Sequence, residues 1–258
     1  MILASPSDLA MWLTLLTAIA YAMPAILADR MGPSLARRYL WLAWVLHGAT
    51  IGFGLLGETP RFGFAPALSV TVWLVLTAYA VESQYFPQLK ARWAMAALGS
   101  AGVTLSWFFP GQALQVSASV WLPLHWALGI ASYGMFAAAV IHAALMTSAE
   151  IQIRQGNENP SGLPLLTLER LMFRFVLLGF ILLTLTLIAG FVFGEQLYGA
   201  AGAHWKWDHK TVFSILSWLT FGVLLLGRQQ FGWRGRRAVR VLYSGATLLL
   251  LAYAGSRF

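Results

Sequence analysis

Eight stretches of the chain are almost free of charge, and polar joints separate them. The apolar runs fall near residues 9–27, 39–57, 66–82, 93–109, 122–147, 171–193, 211–227 and 238–255. The joints occupy residues 29–38, 58–66, 83–92, 110–119, 148–170, 194–210 and 228–237, several of them marked by Gly or Pro, such as Gly32, Pro33, Pro87 and Pro110. About 20 apolar residues in a helix match the thickness of the bilayer core. No run alternates apolar and polar positions as a barrel strand does, and backbone groups in lipid must pair within their own segment. The pattern therefore predicts an all-α, polytopic transmembrane bundle of about eight spans. No internal repeat and no shift in composition divides it, so residues 1–258 read as one integral-membrane domain.

The positive side chains orient those spans. With the N-terminus outside, the inner joints collect Arg30, Arg37, Arg38, Lys90, Arg92, Arg154, Arg170, Arg174, Arg228, Arg234, Arg236, Arg237 and Arg240, thirteen of the 17 Lys and Arg. Only Arg61, Lys206, Lys210 and Arg257 fall outside. Cytoplasmic joints of membrane proteins carry this excess. Eight spans with both termini outside satisfy it; removing one span scrambles it.

Composition agrees with a bilayer location: 59% of the 258 residues are hydrophobic and 10% charged. The net charge of +8 follows from topology and does not signal nucleic-acid binding, which needs a basic face on a soluble module. With no cysteine the chain has no thiolate ligand, redox pair or CxxCH site. No Lys or Arg precedes the first apolar run, so that run predicts a retained helix and not a cleaved signal peptide. No run carries a central Asp, Glu, Lys or Arg, which argues against a proton-coupled pump.

The five histidines are the main candidates for chemistry. On this topology His125 opens the fifth helix at the outer face, and His204 and His209 lie in the outer joint before the seventh. His47 falls near the middle of the second helix and His142 towards the inner end of the fifth. At about 1.5 Å per residue His142 lies about 25 Å from His125, too far to share an ion. In a helical segment His204 and His209 would point about 140° apart, so they do not form a chelating pair. The outer joint also holds Trp205, Trp207, Asp208, Lys206 and Lys210, and Trp121 lies at the same level. Indoles stack on a porphyrin, imidazole ligates haem iron, and ammonium groups pair with propionates. Trp121, Trp126, Trp205 and Trp207 equally suit an interfacial aromatic belt. Asp208 equally suits a helix cap before Thr211, His209 a solvated loop, and His47 a hydrogen-bonded structural role between helices.

Four stretches carry a resemblance. Gly202, Trp205, Trp207 and Asp208 keep the spacing of a tryptophan-rich signature, with Ala201 where its leading Trp belongs. Leu124-His125 through Ser132-Tyr133 opens the fifth helix, and Phe64-Ala65-Pro66-Ala67-Leu68-Ser69 opens the third. Leu226-Gly227-Arg228 through Gly232-Trp233-Arg234-Gly235-Arg236-Arg237 forms the last inner joint. Over nearly its whole length the chain resembles the CcsA/CcmC cytochrome c assembly family, most of all its YpjD/HemX-like branch.

The resemblance implies a non-enzymatic, haem-handling protein of the bacterial inner membrane, holding haem non-covalently at the outer face beside the tryptophan loop. His125 matches a family histidine that ligates haem axially. His209, on position alone, is the candidate second axial ligand to the iron. The candidate cofactor-binding set, from the resemblance and from position together, is His125, His209, Trp205, Trp207, Asp208, Trp121, His204 and His47. The implied partners are haem, the bilayer and another membrane protein of cytochrome assembly or metal transport. Two departures favour a different role. Ala201 replaces the leading Trp, and Gly255-Ser256-Arg257 stands near the place of a late family histidine; Asp208 is also followed by His209-Lys210-Thr211 where the family continues Pro-Lys-Glu. The alternative is an accessory or regulatory subunit that keeps the fold without haem chemistry, assisting a metal-ion transporter or a haem-synthesis enzyme.

Overall fold

A computed structural model of the chain describes residues 8–27, 30–56, 61–85, 92–113, 121–157, 162–193 and 208–254. Among these residues there are eight helices: α1 (Asp8–Ile26), α2 (Pro33–Leu56), α3 (Phe64–Tyr85), α4 (Arg92–Phe108), α5 (Trp121–Arg154), α6 (Leu165–Val192), α7 (His209–Phe231) and α8 (Gly235–Ala254). Each of the eight apolar runs has become one helix. A two-residue antiparallel pairing, β1 (Arg61–Phe62) with β2 (Gln112–Ala113), is the one departure from helix pairing among the described residues. Five helices are long and apolar enough to cross a membrane by length and composition: α1, α3, α5, α6 and α7. The chain is a multi-pass helical membrane protein.

The helices divide into two compact units, residues 1–116 and 117–258, where the uniform composition reads as one domain. In the first unit α1 packs on α2 and α4, and α3 packs on α2 and α4. Small residues permit the approach. The Tyr21 ring lies so close to Gly99 that a Cβ there would meet it at 2.7 Å, and Gly102 faces Val72 at 3.2 Å. Lipid offers no hydrophobic drive between helices, so close van der Waals contact and interhelical hydrogen bonds hold such a unit. Trp44 and Trp73 stack with centroids 5.1 Å apart. The Trp44 Nε1–H donates to Thr77 Oγ1 at 2.8 Å, and the Trp73 Nε1–H donates to the Trp44 carbonyl at 3.0 Å.

The second unit is a ring of four helices in which α5 packs on α6, α6 on α7, α7 on α8, and α8 back on α5. At its centre the Phe136 and Phe221 rings stack with centroids 3.8 Å apart. Gly179 closes one side of the stack, where a Cβ would meet Phe136 at 3.0 Å, and Gly245 closes the other, where a Cβ would meet Phe221 at 2.7 Å. One layer thus joins α6, α5, α7 and α8. The Ser217 hydroxyl donates to the Gly245 carbonyl at 2.9 Å, and the Trp218 Nε1–H donates to Thr184 Oγ1 at 2.8 Å.

α5 and α6 extend beyond their apolar runs at the arginine-rich end, and charge pairing explains the extension. Glu150 pairs with Arg154 at 2.6 Å and lies 3.6 Å from Arg236, while Glu169 pairs with Arg228 at 2.6 Å and lies 3.8 Å from Arg234. Arg228 also lies over the Phe173 ring. The turn into α8 is tight: Gly232 has φ +62° and Gly235 φ +53°, conformations that favour glycine, and the Trp233 ring rests on Gly227. The charge asymmetry assigns this end to the inside.

Candidate functional site

His125 lies at the end of the second unit opposite the paired glutamates. It occupies the first turns of α5 and is 9% exposed. Antiparallel packing of α5 on α6 carries it to the last turns of α6: Phe136 faces Gly179, Gly129 faces Thr186, and His125 faces Gly190. A Cβ on Gly190 would stand 3.3 Å from the imidazole Cε1 and 4.0 Å from Nδ1. Nδ1 itself is buried and has no hydrogen-bond partner among the described residues. A buried polar atom in that condition costs about 1–3 kcal/mol, so this nitrogen calls for a partner beyond the described residues.

The first turn of α7 comes to the same end. Its Lys210 ammonium is close enough for its charge to act on the His125 ring. Asp208 caps this helix, its Oδ1 accepting the Thr211 N–H at 2.8 Å. Burial raises the Asp208 carboxyl, but the Thr211 backbone and hydroxyl hydrogen bonds, with the charges of Lys210 and His209, outweigh it and hold the group below its usual range. His209 is the first residue of α7 and is exposed. The structure thus brings His125 and the Asp208–Lys210 turn to one end of one unit.

Other expected site residues stand differently. Trp205, Trp207 and His204 fall in 194–207, outside the described residues. Trp121 opens α5 as a backbone position only. His47 belongs to the first unit and is fully buried, with Nε2 2.8 Å from Ser69 Oγ and Nδ1 3.3 Å from Tyr21 Oη. Either tautomer satisfies both partners, because each hydroxyl can donate or accept. This geometry gives His47 a structural hydrogen-bonding role in the described conformation. His142 is buried too, with Nδ1 2.8 Å from the Ala138 carbonyl of its own helix and its ring beside Phe175. Gly190 and Thr186 were not among the sequence candidates. A glycine and a threonine four residues apart in an apolar run give the one hint, a small-residue face for close helix approach.

Among the described residues no three His, Asp or Glu side chains converge as a metal site. A lone imidazole suits a metal that brings its own equatorial donors, as porphyrin iron does.

Comparison with known proteins gives a concordant result. The family model described as "Cytochrome C assembly protein" matches residues 33–258. The chain is 31% identical over 196 residues to "Inner membrane protein YpjD" of Escherichia coli, covering 74% of this chain and 70% of that protein. It is 26% identical over 234 residues to "Cytochrome c biogenesis protein CcsA" of Prochlorococcus marinus, covering 85% of this chain and 70% of that one. A shorter match, 36% over 89 residues, links it to the Synechocystis protein of the same name, covering 34% of this chain and 26% of that one. No solved structure matches it.

Proposed function

The chain belongs to the cytochrome c assembly protein family, and from that premise we propose that it handles haem for c-type cytochrome biogenesis at the outer face of the bacterial inner membrane. The relatives named for cytochrome c biogenesis support the assembly role, and the one named as an inner-membrane protein supports the location. The observation that carries the reading is the buried Nδ1 of His125 without a partner among the described residues, at the bundle end where the Asp208–Lys210 turn arrives.

The donor set fits haem. His125 would serve as an axial ligand, and His209 is positioned on the same side to supply a second. Lys210 would pair with a propionate, and Lys206, Trp205, Trp207 and Trp121, whose side chains lie outside the described ones, are proposed from the sequence as further contacts to the haem. Bound there, haem supplies the iron and its redox chemistry. The chain's own contribution is to hold and orient it: His125 set by α6, and Asp208 fixing the start of α7. No bond-making step is assigned to the chain, so the role is non-enzymatic.

A second reading, an accessory subunit without haem chemistry, draws on Ala201 in place of the leading Trp and on the absent late histidine. One experiment separates the two. The full chain purified in detergent, before and after reconstitution with haem, shows a Soret band that diminishes in His125→Ala; a reconstituted wild type that stays colourless contradicts the proposal and favours the accessory role.

A further inference from the structure

A ligating imidazole has to present one nitrogen with its ring plane fixed, and partners behind the ligand usually set both. For His125 one such neighbour is bare helix backbone. The Thr186 hydroxyl is engaged within α6, donating to the Leu182 carbonyl of its own helix at 2.8 Å, and its Cγ2 faces Gly129 of α5. One turn on, Gly190 presents a bare Cα, and among the described residues the atoms within 4 Å of a Cβ built there belong to His125, with Cε1 at 3.3 Å. That is tighter than ordinary contact, so even a methyl group would displace the ring by a few tenths of an ångström.

We infer that the Gly190 turn of α6 is the positioning surface for the His125 imidazole, and that glycine is required at 190 because the ring edge occupies the place of a side chain. The inference rests on the proposed haem role of His125 and adds the residue that orients it. Gly190 touches no iron or substrate; it acts through His125.

Three features of the same helix pair separate positioning from packing. Gly129 faces the same Thr186 from α5, but a Cβ there would stand 3.6 Å from Thr186 Cγ2, an ordinary contact. Gly179 also lies against a ring, Phe136, at 3.0 Å, but 11 residues before Gly190, in the layer of stacked phenylalanines. Substitution at 179 therefore tests packing, and substitution at 190 tests ring orientation.

The experiment uses the haem-reconstituted full chain in detergent, with Gly190→Ala, Gly190→Val, Gly129→Ala and Gly179→Ala. It reads the electron paramagnetic resonance of the ferric haem, haem affinity by titration, and the thermal midpoint. Gly190→Ala is expected to shift the ligand-field pattern and weaken haem binding by about 10-fold, the scale seen when a partner behind a metal ligand is altered. Gly190→Val should do more. Gly129→Ala should match wild type, and Gly179→Ala should lower the midpoint while leaving the resonance unchanged. A Gly190→Ala protein with wild-type resonance and affinity, or one that only loses thermal stability as Gly179→Ala does, overturns the inference. A wild type that takes up no haem removes the proposed function itself, and this inference with it.

Discussion

The Glu169 carboxylate and the Arg228 guanidinium meet at 2.6 Å between α6 and α7, with the acid 9% and the base 28% exposed. Arg234 stands 3.8 Å from the same oxygen, and Phe173 lies under Arg228. An ion pair this enclosed is screened little by salt. Glu169→Leu, which strands a partly buried cation, is expected to cost about 2 kcal/mol, below the range for fully buried pairs because Arg228 keeps its ring contact and some water. Adding Arg228→Met should recover most of the loss. Thermal unfolding in detergent checks this; a Glu169→Leu midpoint equal to wild type contradicts it.

His47 yields a second expectation. Removing its ring leaves Ser69 and Tyr21, both buried, without their hydrogen-bond partner. His47→Leu should therefore lower stability by about 1–3 kcal/mol. Because both nitrogens already have partners, the variant should still take up haem. A His47→Leu protein that folds with the wild-type midpoint but has lost its Soret band would contradict the structural role.

The centre of the second unit is sensitive to a single methyl group. A Cβ on Gly245 meets Phe221 Cε1 at 2.7 Å, and Phe221 cannot retreat because Phe136 stacks on it and Gly179 backs Phe136. Gly245→Ala is expected to destabilise by about 1–3 kcal/mol, the usual cost of overpacking. The reference is Gly222→Ala, whose Cβ would meet Phe180 at 3.6 Å, an ordinary contact. Equal thermal midpoints for the two variants would be evidence against the rigid layer.

Asp208 carries a pH dependence. Its folded pKa lies below the ordinary carboxylate value of 3.8, so the unfolded chain binds its proton at the higher pH. The cap is fully effective above that ordinary value and is lost as pH falls through the lower, folded pKa. Asp208→Ala should cost about 1 kcal/mol at neutral pH and progressively less below about pH 4. Stability curves of the two proteins should converge in acid; a gap that persists or widens there would contradict the assignment.

Helix number and class were legible because each of the eight apolar runs became one helix, five of them long and apolar enough to cross a membrane. Helix ends were less so. The inner turns of α5 and α6 carry Glu150, Arg154 and Glu169, which read as loop until their cross-helix partners Arg228 and Arg236 are in place. For the site, His125 stood out by its flanking Leu124, Ser132 and Tyr133, and Asp208 by its position before Thr211. The partners of His47, on α1 and α3, and the contact of Gly190 with His125 depend on helix register, which periodicity along one chain does not specify. The tryptophan signature, which carries most of the resemblance, falls in residues outside those described.

The central claim is that His125 ligates haem, and the most direct measurement is a haem titration of the full chain in detergent with wild type, His125→Gly, and His125→Gly supplied with imidazole. The account predicts a saturable Soret band in the wild type, its loss or marked weakening in His125→Gly, and its return when imidazole fills the place of the ring. A His125→Gly protein that binds haem as the wild type does, with the same spectrum and affinity, would contradict it.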